Sequence, residues 1–305
     1  MSKPSNSVRT VASVHSYAKS LAVHGGFVYW ADAYLDKEAK QASIGRIGRV
    51  ERAGGTVTAL SEAPGLTGSL MVGNDALVWI APEEIRAMNF DGTQPRLLAT
   101  ARYPVALALH DERVYFTDSK AGSIHCVPLS GGPVSTIATG LHRPDSIAVD
   151  KSHVMFSEWP DDAPHTGKVS RIPVGGGSVT VLAHGQDRPT RLTIDGSSLY
   201  WGHYPKEGIS EVRKMPLQGG EFTTVVPAPV AQTVDYCIAR EHLYWTWSGT
   251  RGMSNGVVGR TARSGGEPEV LVERRQWPSL ITVDDTGIYW LNLDPGEIQT
   301  LPLAR

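Results

Sequence analysis

The sequence predicts an all-β protein: a single seven-bladed β-propeller of four-stranded antiparallel blades, spanning residues 1–305, in which an N-terminal strand closes the last blade. Three observations lead there. An aromatic or bulky pair recurs seven times along the chain, always at the end of an alternating strand. An aliphatic residue precedes each pair at a fixed offset. A glycine turn follows in nearly every copy, giving a unit of roughly 40 to 45 residues, the period of propeller blades.

The pairs are Tyr29-Trp30, Val78-Trp79, Tyr115-Phe116, Met155-Phe156, Tyr200-Trp201, Tyr244-Trp245 and Tyr289-Trp290. Six residues before each pair's first member stand Val23, Val72, Leu109, Val149, Ile194, Ile238 and Val283. A hairpin needs that constancy, because a slip of one residue turns every side chain to the opposite face. The pairs themselves are read as packing between neighbouring blades, where bulky residues suit a pleated, buried surface.

Glycine turns follow at Gly54-Gly55, Asp91-Gly92, Gly131-Gly132, Gly175 to Gly177, Gly219-Gly220 and Gly265-Gly266, read as two-residue hairpin loops. Fourth strands follow them, as at Val134 to Ala138 and Val179 to Ala183. The seventh copy ends after its third strand, Glu297 to Leu303. Val8 to Val14, reading VRTVASV, supplies the missing strand and removes an exposed edge. The polar start, Met1 to Ser7, is expected to be flexible.

Composition agrees with one large all-β domain. The 32 glycines and 20 prolines lie between short Val, Ile, Leu, Tyr and Trp runs, and 41% hydrophobic content is enough for an extensive core. A net charge of -2 offers no footprint for nucleic acid or an anionic membrane surface. The start lacks an apolar signal region and no apolar run reaches membrane-spanning length, so a soluble, cytoplasmic protein without a membrane partner is expected. Cys126 and Cys237 fall in nonadjacent copies, which makes a disulfide between them improbable and suits a reducing compartment.

The strand Tyr29-Trp30-Ala31-Asp32, with Tyr115-Phe116-Thr117-Asp118, Tyr200-Trp201-Gly202-His203 and Tyr244-Trp245-Thr246-Trp247, resembles the YWTD repeats of low-density-lipoprotein-receptor propellers. It also resembles bacterial propellers whose repeats read aliphatic, Asp, turn, Tyr-Trp, then Pro and Gly-Gly. The resemblance implies the fold and covers nearly the whole chain. Receptor propellers of this type have six blades, whereas this sequence has seven copies. Streptogramin B lyase, a seven-bladed bacterial propeller, is similar in length and blade number. Its metal-dependent residues find no motif match here beyond the Gly-Arg steps Gly45-Arg46 and Gly259-Arg260.

Positions common to all copies serve the fold, so a site is sought where the copies differ. One ring precedes the innermost strands: Tyr17, Leu66, Tyr103, Arg143, Arg188, Gln232 and Trp277, four of them followed by proline. Proline stiffens such a loop, and arginine offers a planar fork to carboxylate or phosphate. The bland alternative is that Arg143 and Arg188 pair with Asp145, Asp187 or Glu158 and tie loops together. A second ring ends the YWTD-like strands: Asp32, Ala81, Asp118, Glu158, His203, Trp247 and Asn292. Here the structural reading is a side chain that caps the next turn. The functional one makes His203 a general acid or base with Glu158 beside it.

A metal site from Asp118, Glu158 and His203 is not expected, because equivalent points on packed sheets stand about 10 Å apart and metal bonds need about 2.0 to 2.6 Å. Longer loops at the same end carry Tyr34, Trp159, His165, Tyr204 and Arg251. Aromatics with a few charges suit a medium-sized organic ligand. No nucleophile elbow, phosphate loop, His-Glu-x-x-His helix or paired Cys-x-x-Cys motif is present.

The expectation is therefore a propeller that binds an aromatic, carboxylate-bearing small molecule or short peptide over its central channel, without cofactor or metal. Arg143, Arg188 and Arg191 take the charge, and Tyr17, Tyr103, Trp247 and Trp277 the flat part. The alternatives are a cofactor-independent lyase, cyclase or isomerase using His203 and Glu158, and a protein interaction scaffold.

Overall fold

The computed structural model describes residues 7–15, 18–35, 43–64, 68–160, 164–205, 211–226, 234–250 and 253–303. Most of the expected flexible start lies outside these residues, as do Tyr17, Leu66, Gln232 and Arg251. The fold is an all-β seven-bladed β-propeller, each blade a four-stranded antiparallel sheet. The residues group into two compact units, 67–231 and 1–66 with 232–305.

In chain order, β1 is Arg9–Ser13, and blade 1 is β2 Ser20–His24, β3 Phe27–Leu35, β4 Ser43–Glu51 and β5 Thr58–Pro64. Blade 2 is β6 Leu70–Val72, β7 Ala76–Ala81, β8 Glu84–Asn89 and β9 Arg96–Thr100. Blade 3 is β10 Pro104–His110, β11 Arg113–Asp118, β12 Ser123–Pro128 and β13 Ser135–Ala138. Blade 4 is β14 Pro144–Val149, β15 His153–Glu158, β16 Gly167–Pro173 and β17 Thr180–Gln186. Blade 5 is β18 Thr190–Asp195, β19 Ser198–His203, β20 Glu211–Pro216 and β21 Thr223–Val226. Blade 6 is β22 Val234–Ala239, β23 His242–Trp247, β24 Gly256–Ala262 and β25 Glu269–Arg275. Blade 7 is β26 Pro278–Val283, β27 Gly287–Asn292 and β28 Glu297–Pro302, completed by β1.

The fixed offset seen in the sequence is the hairpin register. Each aliphatic residue pairs with the residue just before the aromatic pair: Val23 with Val28, Val72 with Leu77, Leu109 with Val114, Val149 with Val154, Ile194 with Leu199, Ile238 with Leu243 and Val283 with Ile288. Seven hairpins thus share one register, which puts the two members of each pair on opposite faces of their blade, both buried. Trp30 lies in one apolar cluster with Val11, Tyr289 and Leu291, and Trp201 in another with Met155 and Val169. Gly48 lets the first of these indoles lie flat on β4: a Cβ there would stand 2.5 Å from the Trp30 ring.

Closure follows the sequence expectation. β1 pairs antiparallel with β28, Arg9 opposite Thr300 and Ser13 opposite Glu297. Arg9 also donates to the carbonyls of Ala53 at 2.8 Å and Arg52 at 3.1 Å, and Arg52 is ion-paired with Asp284. The last blade is fastened to the first by charge as well as by the Val11 side of the core.

The glycine turns differ from the expected two-residue loops. In blade 3 the Gly131 N–H donates to the Pro128 carbonyl at 2.9 Å, and β13 resumes only at Ser135. Leu129 and Ser130 at the centre of that turn reverse the chain, and Gly131 and Gly132, with φ of +90° and +132°, start the unpaired stretch that leads to the outer strand.

Within unit 67–231 the first strands β10, β14 and β18 lie against one another in succession. The hydroxyl of the YWTD-like motif stitches them together. Thr117 Oγ1 accepts the Ala106 N–H at 3.1 Å and donates to the Asp145 carbonyl at 3.1 Å. Ser157 Oγ accepts the Ser146 N–H at 3.0 Å, and Ser146 Oγ accepts the Leu192 N–H at 2.8 Å. In the other unit, Thr246 donates to the Ser279 carbonyl and Asp235 Oδ2 accepts the Ile281 N–H at 2.9 Å. Each of these groups would otherwise be a polar atom buried between sheets, where an unmade hydrogen bond costs about 1–3 kcal/mol.

Candidate functional site

The two rings singled out in the sequence are mechanically linked. In four blades the last residue of the YWTD-like strand accepts a backbone N–H from the loop that leads into the first strand of its own blade. Asp32 Oδ2 takes the His15 N–H at 3.1 Å, and Glu158 Oε1 takes the His142 N–H at 2.8 Å. Asp118 takes three, from Arg102 at 2.6 Å, Tyr103 at 3.2 Å and Ala121 at 2.9 Å. His203 does the same with a ring nitrogen: its Nδ1 accepts the Asp187 N–H at 3.3 Å.

Held this way, the loops show an unusual backbone. Arg143, Arg188 and Trp277, each followed by proline, have φ of +51°, +42° and +54°, and Arg191 has +53°. For residues with a Cβ such conformations cost on the order of 1–3 kcal/mol each and persist only where the surroundings enforce them. The pairing then shifts register by a β-bulge between Pro144 and Ile147 and between Thr190 and Thr193. Asp145 and Arg191 sit in these bulges, which re-aim side chains.

Two of the three arginines converge on one aromatic. The Arg188 guanidinium lies over the Trp159 ring at 4.1 Å from its centroid and that of Arg143 at 5.3 Å. All three arginines are exposed, and Trp159 is half-buried. Among the described residues neither Arg143 nor Arg188 forms an ion pair or donates a hydrogen bond, so the loop-tying pairs considered above are not made. Asp145 is nonetheless within their field: burial pushes its carboxyl up, against the opposing pull of Arg188, Arg143 and Arg191.

The remaining sequence candidates are placed as follows. Tyr103 belongs to blade 3, 61% exposed, with its backbone held by Asp118. Trp247 and Trp277 belong to the other compact unit, where Trp247 is half-buried edge-on to Trp245 at 6.4 Å. Glu158 is 6% exposed and occupied with the His142 N–H. His203 is also 6% exposed. Burial, with Arg213 nearby, lowers its pKa to about 4 against the pull of Glu211 and Asp187. It is a neutral imidazole at pH 7.

Behind the arginines stands a feature that the sequence did not single out. Asp187, buried, accepts the His165 N–H on Oδ1 at 2.5 Å, while its Oδ2 lies 3.2 Å from His165 Nδ1 and 3.5 Å from His203 Nε2. Sequence reading noted Trp159 and His165 only as members of a long loop, because nothing in a repeat pattern says where a nonrepeating loop folds. Among the described residues no group of three or more His, Cys, Asp or Glu side chains is arranged to hold a metal ion.

No family model matches the chain, and no curated protein sequence matches it. Solved structures do. An oligogalacturonate lyase in complex with manganese aligns with TM-score 0.65 at 12% identity, over 95% of this chain and 98% of that one. A gluconolactonase from Xanthomonas campestris aligns with TM-score 0.56 at 17% identity, over 97% and 89%. A chain of a nidogen/laminin complex aligns with TM-score 0.59 at 18% identity, over 75% and 90%. At these identities the likeness is one of fold, and the fold is compatible with ligand-binding and catalytic surfaces alike.

Proposed function

We propose that this propeller binds a carboxylate-bearing small organic molecule with a flat apolar part, at the loops that lead into blades 4 and 5. Arg143 and Arg188 take the carboxylate, Arg191 adds charge, and Trp159 offers the stacking face. One observation carries the reading: two exposed guanidiniums that form no ion pair and donate no hydrogen bond among the described residues lie over a single indole, on backbone held in the left-handed region. Guanidinium N–H groups fixed over a ring are pre-ordered, so a ligand loses less freedom on meeting them. A peptide C-terminus presents the same chemistry and belongs to the same test. The lyase, cyclase or isomerase reading through His203 has less to rest on, since its Nδ1 is engaged by the Asp187 N–H.

The test is calorimetry and thermal shift with benzoate, phenylpyruvate and indole-3-acetate, each beside its uncharged amide, and with a short peptide with free or amidated C-terminus. The acids are expected to bind and the amides to fail. Arg143→Ala with Arg188→Ala should weaken binding by about 1.5–3 kcal/mol, the worth of charge-assisted hydrogen bonds, without lowering the melting temperature. Equal binding of acid and amide, or indifference to the double substitution, removes the basis for the proposal.

A further inference from the structure

We propose that His165 is the nucleophile of an acyl-transfer site, an imidazole oriented by buried Asp187 and backed by His203, which hydrolyses esters of carboxylate-bearing acids. The argument begins with an oddity of burial. The His165 side chain is 74% exposed, yet a single carboxylate that is 6% exposed grips both its main chain and its ring. His165 also takes φ of +60°, a backbone choice a solvent-facing loop residue has no reason to make for packing.

That grip decides the tautomer. With Asp187 Oδ2 at 3.2 Å, the Nδ1 position is the favoured place for the ring proton, which leaves the Nε2 lone pair free. A carboxylate that fixes one ring nitrogen while the other acts is the division of labour found in nucleophile–base–orienter sites. Asp187 is itself fixed from behind: its N–H donates to His203 Nδ1 and its Oδ2 lies 3.5 Å from His203 Nε2. Asp187 and His203 are thus positioning residues, and Arg213 and Glu211 complete the charged surroundings of His203. Arg188 follows Asp187 directly, so the anion-binding loop and the carboxylate that orients His165 are one piece of chain.

The reaction balances with water as the only co-reactant. His165 Nε2 adds to the ester carbonyl carbon and the bond to the leaving oxygen breaks with its electron pair going to that oxygen. The Nδ1 proton passes to the departing oxygen to give an alcohol, or to water where the group leaves as phenolate, which leaves a neutral acyl-imidazole. Water then adds to the acyl carbon, the carbon–nitrogen bond breaks, the acid leaves and the ring regains its proton. The dyad stands on its own geometry, while the preference for an anionic acyl group rests on the arginine reading.

The test uses the full chain with 4-nitrophenyl acetate and with mono-4-nitrophenyl glutarate, following release of 4-nitrophenolate. His165→Gln is expected to lower kcat for both esters by about a hundredfold or more, the usual loss for a proton-transferring or nucleophilic imidazole, while His184→Gln leaves both rates unchanged. Asp187→Asn should lower kcat with little change in KM and move the His165 ring proton from Nδ1 to Nε2 in nitrogen-15 spectra. Because that variant could disturb the loop, melting temperature is read alongside, and His165→Gln stands as the independent arm. If His165→Gln hydrolyses both esters at the wild-type rate, the proposal is overturned. The wild-type preference for the glutarate ester reports the arginines separately. An inactive His165→Gln, with no glutarate preference in the wild type, sinks the anion reading and keeps the dyad; a fully active His165→Gln, with that preference present, overturns the dyad and keeps the anion reading.

Discussion

Blades 3 and 5 end their second strands with different chemistry at the same place, Asp118 in one and His203 in the other. Both accept the backbone N–H of the loop that leads into the first strand of their own blade. Asp118 has two oxygens, and takes three N–H groups from both sides of the strand end. An imidazole has one acceptor nitrogen, and takes one. In blade 5 the carboxylate has moved a step outward, from the strand end to Asp187 in the capped loop, where it holds His165. The repeat keeps its cap and gains an anchored, exposed histidine. A departure from the repeat is thus structurally tolerated and locally constructive, which is why departures rather than common positions mark the candidate site.

The largest effect is expected from removing the better cap. Asp118→Ala strands three N–H groups around a side-chain position that is 2% exposed. At roughly 1–3 kcal/mol for each unmade buried hydrogen bond, with some donors finding water, a loss of about 3 kcal/mol or more is expected. Urea unfolding measures it. A loss below about 1 kcal/mol would show that Asp118 is an ordinary surface-end residue and that the comparison with His203 has no structural meaning.

What the sequence made legible divides along the same line. The offset from Val23 to Tyr29, repeated through Val283 and Tyr289, is visible because strand pairing has period two and cannot drift, and it appears in the structure as one shared register. The closing strand was legible because blade 7 had no fourth strand of its own. The prolines after Arg143 and Arg188 marked the loops, but the positive φ that aims those arginines depends on caps from Glu158 and His203 in other strands. Trp159 beneath two guanidiniums, and His165 against Asp187, come from nonrepeating loops whose course no periodicity records. His203 was noticed as a departure, yet its ring is turned to the Asp187 N–H, a direction that sequence alone does not give.

A second effect is spread over a range of pH. His203 has an ordinary value of 6.5 lowered to about 4, first by burial and then by Arg213. The unfolded chain takes up this proton as pH falls through 6.5, whereas the folded chain resists until about 4. Stability should therefore fall as pH drops across that window, with a slope approaching about 1.4 kcal/mol per pH unit from this one group, and level off below it. Denaturant titrations at closely spaced pH values read the slope, and a flat difference between wild type and a variant lacking the imidazole would refute this assignment.

The smallest effect is expected from the substitution that makes such a variant while keeping the cap. Blade 7 already places Asn292 at the equivalent position, 3% exposed, with Oδ1 accepting the Trp290 indole N–H at 3.2 Å. In His203→Asn the amide oxygen can accept the Asp187 N–H as Nδ1 does now, while the amide nitrogen falls at the place of the ring carbon Cδ2 and stops short of Nε2. The cap survives, and what is lost is ring volume in a buried place together with the approach to Asp187 Oδ2. At pH 8, where His203 is neutral in both folded and unfolded chains, the change should cost no more than about 1–2 kcal/mol, the lower range for a buried truncation. Between pH 6.5 and 4 the variant should lose less stability than wild type, since one titrating group has been removed. The two curves should approach each other as pH falls. If instead the variant unfolds at pH 8 as readily as Asp118→Ala, the imidazole does more than cap, and the parallel between the two blades fails at its central residue.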